Sequence, residues 1–269
     1  IINSLVFALS VFLLLNFDTR SSNFQFVEIL KWIPSLNINY YLGVDGISTL
    51  LILLNTIIFL IVAFYNSTLN LKKRNQYYAS FLIASGLTIG VFSALDAMLF
   101  YIFFEALLIP MFIIIGVWGG PNRIYAAIKF FIYTFLGSVL LLISFLYINS
   151  SISSFSVLSF YEASFSLLEQ KWLFVAMAIA FAVKIPMFPF HTWLPDAHVQ
   201  APTSGSVILA AILLKVGAYG FIRFVIPVVP LGASALDIYF IVLSIIAIVY
   251  VGMIAIAQND MKKLIAYSS

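Results

Sequence analysis

The chain has 269 residues, of which 64% are hydrophobic and only 9% are charged, and its net charge is +3. Soluble domains carry about 25% charged residues, so this composition excludes a water-soluble globular protein and predicts a membrane protein. The small, scattered positive charge argues against nucleic acid as a partner, and the absence of cysteine excludes disulfides, zinc–thiolate sites and iron–sulfur clusters in this chain.

Apolar runs of about 20 residues, the length that crosses the hydrocarbon core as a helix, recur along the whole chain. They predict eight transmembrane helices, at roughly 1–17, 47–66, 77–95, 97–118, 123–149, 171–190, 203–226 and 235–257, with a ninth beginning near 264. Membrane-barrel strands would be half as long and would alternate apolar with polar residues. The sequence therefore predicts an all-α polytopic bundle.

The connecting segments predict the orientation of these helices. Basic residues at 72–74, at Arg123 and at 262–263 all fall on one side of the membrane, which the positive-inside rule makes the matrix or cytoplasmic side. The segments 16–46 and 150–170 lie on the opposite side as long polar connections. Because the chain opens on an apolar run and stops as another begins, we expect it to be part of a longer polypeptide or of a split gene product.

Four ionisable residues lie well inside the predicted helices, away from their ends: Glu105, Lys129, Lys184 and Lys215. A charge near the bilayer centre costs roughly 2.5–3.5 kcal/mol on insertion scales, a cost that a plain anchor has no reason to carry. A lysine near a helix end can reach the interface instead, and this alternative stays open for Lys129. A purely structural ion pair of Glu105 with Lys184 is a second alternative. The buried groups otherwise indicate a proton relay.

A proline-rich stretch predicts a broken transmembrane helix. Four prolines fall within the 17 residues 186–202, shortly after Lys184: Pro186, Pro189, Pro195 and Pro202. Each removes a backbone donor and clashes one turn back, and transporters place such discontinuous helices at their ion sites. The only two histidines, His191 and His198, lie in this stretch and suit proton transfer near neutral pH. The alternatives are a metal site with Asp196, or imidazoles that only satisfy loose carbonyls.

Four segments resemble a known family. They are VKIPMFPFHTWLPDAHVQAPTSGSVILAAILLKVGAYG at 183–220, LGVDGIS at 42–48, FFEALLIPM at 103–111 and AQNDMKKLIAYSS at 257–269. Together they resemble the antiporter-like, proton-pumping subunits of NADH:ubiquinone oxidoreductase (respiratory complex I), and most of all the chain 4 family, called chain M in bacteria. The resemblance spans nearly the whole chain.

The resemblance implies a fold of two inverted five-helix repeats. It divides the chain into N-terminal helices with an outer loop at 1–76, a first repeat with the broken helix at 77–226, and the start of a second repeat at 227–269. It implies a proton path in which Glu105 pairs with Lys184, Lys215 is the central lysine, and His191 and His198 connect them, while Lys129 is a weaker candidate. No cofactor and no metal are expected in this chain, because the redox chemistry of the enzyme takes place on other subunits.

The implied partners are the other membrane-arm subunits, especially antiporter-like chains 2 and 5, a chain carrying the missing C-terminal half if the gene is split, and lipids. The implied location is the mitochondrial inner membrane, with the bacterial plasma membrane as the alternative. Two other functions stay open. One is a subunit of a multisubunit sodium/proton antiporter, and the other is a scaffold that holds the membrane arm together.

Overall fold

The computed structural model describes residues 1–70 and 72–269 and is 76% helical. Five of its helices are long and apolar enough to cross a membrane: Gly46–Ser67, Ala97–Trp118, Arg123–Ile152, Thr203–Val228 and Pro230–Ile256. The predicted all-α polytopic membrane fold is confirmed. The described residues form two compact units, and each is treated by itself below.

The first unit comprises Ile1–Met111 and Ser153–Ser159. Its helices are α1 (Ile2–Leu15), α2 (Gly46–Ser67), α3 (Arg74–Ser93) and α4 (Ala97–Ala106), together with the start of α5 (Leu108–Trp118). Polar side chains join α1 to α2: the hydroxyls of Ser10 and Thr56 lie 2.7 Å apart, and Asn3 Nδ2 donates to the Phe59 carbonyl at 3.2 Å. Such interhelical hydrogen bonds are typical of membrane helices.

The segment between α1 and α2 contains a β-hairpin that the sequence did not predict. Strand β1 (Gln25–Ile33) pairs antiparallel with β2 (Ile38–Val44), and Asn37 takes the left-handed conformation in the turn. Asp96 fixes the hairpin to the start of α4, because its carboxylate accepts from the backbone N–H groups of Asn39, Met98 and Leu99. Burial raises the pKa of Asp96, and the three donors act in the opposite direction.

The second unit comprises Phe112–Ile152 and Phe160–Ser269. After the rest of α5 it contains α6 (Arg123–Ile152), α8 (Leu167–Lys184), α9 (Trp193–Gln200), α10 (Thr203–Val228), α11 (Pro230–Ile256) and α12 (Met261–Ser268). The short α7 (Val157–Glu162) precedes α8 in the predicted polar connection. α10 contains two π-helical turns, at Leu209–Leu213 and Phe221–Val225.

Small residues and side-chain caps hold these helices together. Gly137 of α6 packs on Val183 of α8, where a Cβ added to the glycine would lie 3.1 Å from the valine Cβ. The Gln170 side chain accepts from the backbone N–H groups of Leu231 and Gly232 at 3.0 and 3.3 Å, which caps the start of α11. α8 itself begins with a capping box of Ser166 and Glu169.

Apart from two differences, the helix bounds lie within five residues of the predicted spans. Of the eight predicted transmembrane helices, five are long and apolar enough to cross a membrane in the described residues. The predicted span 171–190 is wrong at its end, because α8 stops at Lys184. The predicted span 97–118 is interrupted at Leu107, because Pro110 lacks the N–H that would bond to the Ala106 carbonyl. The predicted division at 76/77 and 226/227 follows the repeats of the family and stays a prediction.

Candidate functional site

The helix break that the prolines predict is present in the second unit. α8 ends at Lys184, the residues 185–192 are not helical, α9 begins at Trp193, and α10 begins at Thr203. The Trp193 indole donates to the Val183 carbonyl at 2.9 Å, a carbonyl one residue before the end of α8. This bond ties the far side of the break back to the end of α8, so the break has a defined geometry.

Lys184 is the most enclosed of the predicted site residues, since only 1% of it is exposed. It is the basic residue in the last turn of α8, where the helix dipole favours a cation. Gly217 of α10 lies against it, and a Cβ at that glycine would be 3.1 Å from the Lys184 Cβ. The prediction that Lys184 is buried is confirmed.

Lys129 forms an ion pair that the sequence did not predict. Its Nζ lies 2.6 Å from Asp196 Oδ2 in α9, and the two side chains are 20% and 40% exposed. One turn along α6, the Tyr133 hydroxyl accepts from Thr192 Oγ1 at 3.0 Å. Lys129 therefore binds a partner within the protein rather than only reaching the membrane surface.

The same face of α6 carries an aromatic contact to the break. Phe130 packs on Trp193, with ring centroids 5.4 Å apart. Together with the ion pair and the tyrosine contact, it fixes α9 along α6. At the other end of α9, the Gln200 carbonyl accepts from Gly120 N at 2.8 Å and its side chain from Asn122 N at 3.0 Å.

The two histidines lie in different surroundings. His198 in α9 is only 4% exposed, and both its ring nitrogens are enclosed without a hydrogen bond to any residue that the structure describes. His191 is half-buried beside the Phe188 ring and lines a cavity of about 50 Å³ with Pro186 and Tyr267. A cavity of this size has room for water, so the His191 ring can exchange protons through it.

Lys215 lies in α10, inside the span that the sequence predicted, but its side chain is not enclosed. Its side chain is exposed on the surface of α10, and its Nζ donates to the Ala210 carbonyl at 2.8 Å. Ala210, whose carbonyl accepts this hydrogen bond, belongs to the π-helical turn Leu209–Leu213. The prediction that Lys215 is buried is therefore wrong for the described chain, because no other described element covers that face of α10.

Glu105 belongs to the first unit, whereas Lys184 belongs to the second. Glu105 is half-buried with its Oε1 enclosed, and it is the residue before the last of α4, directly ahead of the interruption at Leu107. The predicted pair of Glu105 with Lys184 stays a prediction.

Two basic residues beyond the predicted set contact this region of the second unit. Lys262 Nζ donates to the Val199 and Ala201 carbonyls at 3.4 and 3.2 Å, at the end of α9 where a cation is favoured. Arg223 in α10 is buried against Tyr219, with its Nε 3.2 Å from the tyrosine hydroxyl. The sequence could have indicated Arg223, because it is a charged residue within the apolar span 203–226.

The alternative of a metal site at the histidines has no cluster of ligands among the described residues. Among residues 1–70 and 72–269, no group of three or more His, Cys, Asp or Glu side chains lies close enough to hold a metal ion. Asp196, the carboxylate nearest the histidines in sequence, is engaged with Lys129. At its broken helix the second unit has the buried Lys184 and His198, the half-buried His191 and the partly exposed Lys129–Asp196 pair, and titratable groups of this kind suit proton transfer.

Comparisons with known proteins place the chain in a family. A family model described as "NADH:quinone oxidoreductase/Mrp antiporter, TM" matches residues 94–269. The NADH-quinone oxidoreductase subunit M of Rickettsia conorii is 50% identical over 268 residues, which cover 98% of this chain and 54% of the relative. The NADH-ubiquinone oxidoreductase chain 4 of Marchantia polymorpha is 46% identical, with the same coverage. The chain thus spans about half the length of these relatives.

Solved structures show the same fold. A chain of respiratory complex I from Thermus thermophilus with bound NADH matches with a TM-score of 0.88 and 29% identity, over 99% of this chain and 56% of that one. A chain of the Mrp complex from Dietzia sp. DQ12-45-1b matches with a TM-score of 0.86 and 22% identity, over 99% of this chain and 29% of that one. The broken helix, the enclosed charges and these matches together establish that the chain belongs to the NADH:quinone oxidoreductase/Mrp antiporter transmembrane family.

Proposed function

We propose that this chain is part of a proton-translocating membrane-arm subunit of NADH:quinone oxidoreductase. The names of the relatives at about 50% identity support this assignment, since they are subunit M and chain 4 of that enzyme. NADH oxidation and quinone reduction would take place on other subunits. Their energy would reach this chain as a change in charge or conformation near the broken helix.

The observation that carries the proposal is the position of Lys184. Lys184 is only 1% exposed and lies at the end of a membrane helix that breaks directly after it. Burial of this kind disfavours the charged form of an amine and favours release of its proton. A nearby carboxylate would make the charged form favourable again, and Glu105 is the expected one. Moving a neighbouring charge would then load or release one proton at the Lys184 Nζ.

A path can be drawn through the residues on either side. A proton would arrive from the negative side through the cavity at His191, pass by the enclosed His198 imidazole, and load Lys184. From Lys184 Nζ it would pass to Lys215, which leaves Lys184 neutral and Lys215 charged. Because an ammonium facing lipid would be costly, we infer that another protein segment or a water-filled path covers Lys215 in the whole assembly.

The decisive experiment replaces Lys184 by alanine in the intact enzyme. Inverted membrane vesicles would be assayed for NADH oxidation and for protons translocated per electron. We expect pumping to fall by half or more while the complex still assembles. The matched control is Lys31→Ala, which removes an exposed lysine from β1. A normal proton-to-electron ratio in the Lys184→Ala enzyme would overturn the proposal.

A second variant separates the proton path from a scaffold. Lys215→Met keeps the length and the apolar stem of the side chain but removes the charge. If the chain only holds the membrane arm together, coupling is unchanged in this variant. If Lys215 carries the proton onward, pumping falls while the amount of assembled enzyme is unchanged.

The sodium/proton antiporter alternative shares the fold, since the Mrp chain matches at 22% identity. A native gel of solubilised membranes, stained for NADH dehydrogenase activity and analysed by mass spectrometry, distinguishes the two. Peptides of this chain in an active band together with chains 2 and 5 would support the proposed assembly. Their presence in a smaller, redox-inactive complex with sodium-dependent proton flux would support the antiporter.

The location follows from the same assignment. The chain is a membrane protein, and its relatives come both from plants, as NADH-ubiquinone oxidoreductase chain 4, and from bacteria, as subunit M. We propose the mitochondrial inner membrane, with the bacterial plasma membrane as the alternative. Fractionation of organelles with an antibody against the loop 150–170 would decide between them.

A further inference from the structure

The first unit contains a groove of about 480 Å³ between the start of α1, the last turns of α2 and the first turns of α3. Its walls are mainly apolar, with Phe59, Val62 and Phe64 from α2 and Phe81 from α3. The volume lies within the range of small-molecule binding sites. None of the described residues that line it is acidic.

The residues that line the groove follow the last turns of α2. The groove runs along α2 from Phe59 to its last residue, Ser67, which is about 12 Å at 1.5 Å per residue. One leaflet of the hydrocarbon core is about 15 Å thick. The groove therefore has the length that accepts the part of an acyl chain nearest its headgroup.

The groove ends at a basic rim. Arg74 Nη2 donates to the Ser67 carbonyl at 3.4 Å and to the Tyr78 hydroxyl at 3.3 Å, and both of these residues line the groove. Its guanidinium lies 5.4 Å from the centre of the Tyr78 ring. The contacts fix the guanidinium at the mouth of the groove, where an apolar chain would meet a charged headgroup.

The rim carries more positive charge than Arg74 alone. Lys72 and Lys73 precede it and are exposed, and the first turn of α3 contains no acidic residue. Arg74 and Lys73 also line a shallow depression of about 370 Å³ with Asn75 and Gln76. The positive-inside rule places this rim on the matrix or cytoplasmic side, where the leaflet contains anionic lipids.

We propose that this groove and its basic rim bind one anionic phospholipid. An acyl chain lies along Phe59, Val62 and Phe81, and the phosphate is held by Arg74 with Lys72 and Lys73. A zwitterionic lipid would offer the same chain but no net negative charge to the three bases. A soluble phosphate compound would leave the apolar walls uncovered.

The test uses phospholipids with a photoactivatable acyl chain. The intact enzyme is reconstituted with such a phosphatidylglycerol or phosphatidylcholine, irradiated, digested and mapped by mass spectrometry. We expect phosphatidylglycerol to label peptides from 59–67 and 78–82 at least about tenfold more than phosphatidylcholine. Each base near the lipid surface should account for roughly a fivefold preference.

Three variants make the test specific. Arg74→Gln, an exposed change, should lower the phosphatidylglycerol labelling roughly fivefold, and Ala63→Phe should abolish labelling by filling the groove without altering charge. Lys31→Gln, which removes an exposed base from β1, should change nothing. Equal labelling by both lipids, unchanged labelling in Arg74→Gln, or an unlabelled wild-type groove because another protein segment occupies it would each overturn the proposal.

Discussion

Two neighbouring helices of the second unit, α10 and α11, differ in burial, and the less apolar of the two is the more buried one. In its most apolar stretch α10 has a mean hydropathy of 1.9 and 61% of its residues buried, whereas α11 has a mean hydropathy of 2.7 and 6% buried. In a soluble protein the more apolar helix would be the enclosed one. In a bilayer, polar groups must be satisfied inside the protein and apolar faces can meet lipid.

The glycines of the two helices show the same difference. On α10, a Cβ at Gly220 would overlap the ring of Phe181, and Gly217 lies directly against Lys184 and Ile185. On α11, a Cβ at Gly252 would meet nothing within 4 Å. Close packing at small residues thus occurs in the middle of α10, whereas on α11 it is found at the start of the helix, where Gly232 packs on Gln170.

The largest effect should come from Gly220→Ala, compared with Gly252→Ala. Overpacking against the fully buried Phe181 should cost about 2–3 kcal/mol, and the melting temperature of the solubilised complex would fall. Gly252→Ala should stabilise α11 by about 0.5–1 kcal/mol, because alanine is the better helix former. Equal effects of the two changes would contradict the difference in packing between the helices.

A smaller effect is expected for Ile212→Ala on α10, compared with Ile248→Ala on α11. The two isoleucines are 1% and 75% exposed. Since lipid is as apolar as the protein interior, the transfer term is small, and Ile212→Ala should cost about 1–2 kcal/mol because of the cavity that it leaves. Ile248→Ala should stay within about 0.5 kcal/mol. Thermal unfolding in detergent measures both, and a strong effect at Ile248 would indicate that protein covers that face.

The smallest effect is expected at the Lys129–Asp196 ion pair. Because both side chains are partly exposed, Asp196→Asn should cost about 1 kcal/mol. The exchanged pair Lys129→Asp with Asp196→Lys should recover part of that loss. A double-mutant cycle on the thermal stability measures the coupling. A coupling of zero would show that the ion pair does not help to fix α9 to α6, which leaves the contacts of Phe130 with Trp193 and of Tyr133 with Thr192.

The sequence could predict the features that depend on local chemistry. The spans follow from apolar length, and the break after Lys184 follows from Pro186 and Pro189, which lie within the next five residues. The burial of Lys184 could also be predicted, because it lies in an apolar run next to that break. In each case the residues that determine the feature are within a few positions of it.

Features that join distant residues could not be predicted in this way. Lys129 and Asp196 are 67 residues apart, and nothing near either one indicates the other. The hairpin at Gln25–Val44 was missed because β1 is largely exposed and neither strand alternates clearly between buried and exposed residues. The exposure of Lys215 depends on which elements of the chain cover α10, which the apolar run around it does not indicate.

The two π-helical turns of α10 also determine how tolerant this helix is to changes in length. Each π turn is equivalent to one residue inserted into an α-helix, and one residue corresponds to about 100° of rotation. Deleting one residue from Leu209–Leu213 would therefore restore an α-helical turn and leave the contact of Gly217 with the end of α8 in place. Deleting one residue from the α-helical segment Thr203–Ile208 would instead rotate the rest of α10 by about 100°, which would move Gly217 off the end of α8 and Lys215 off its present face. α10 can therefore absorb the loss of one residue at either π turn, whereas the same loss in its α-helical segments moves every contact beyond it at once.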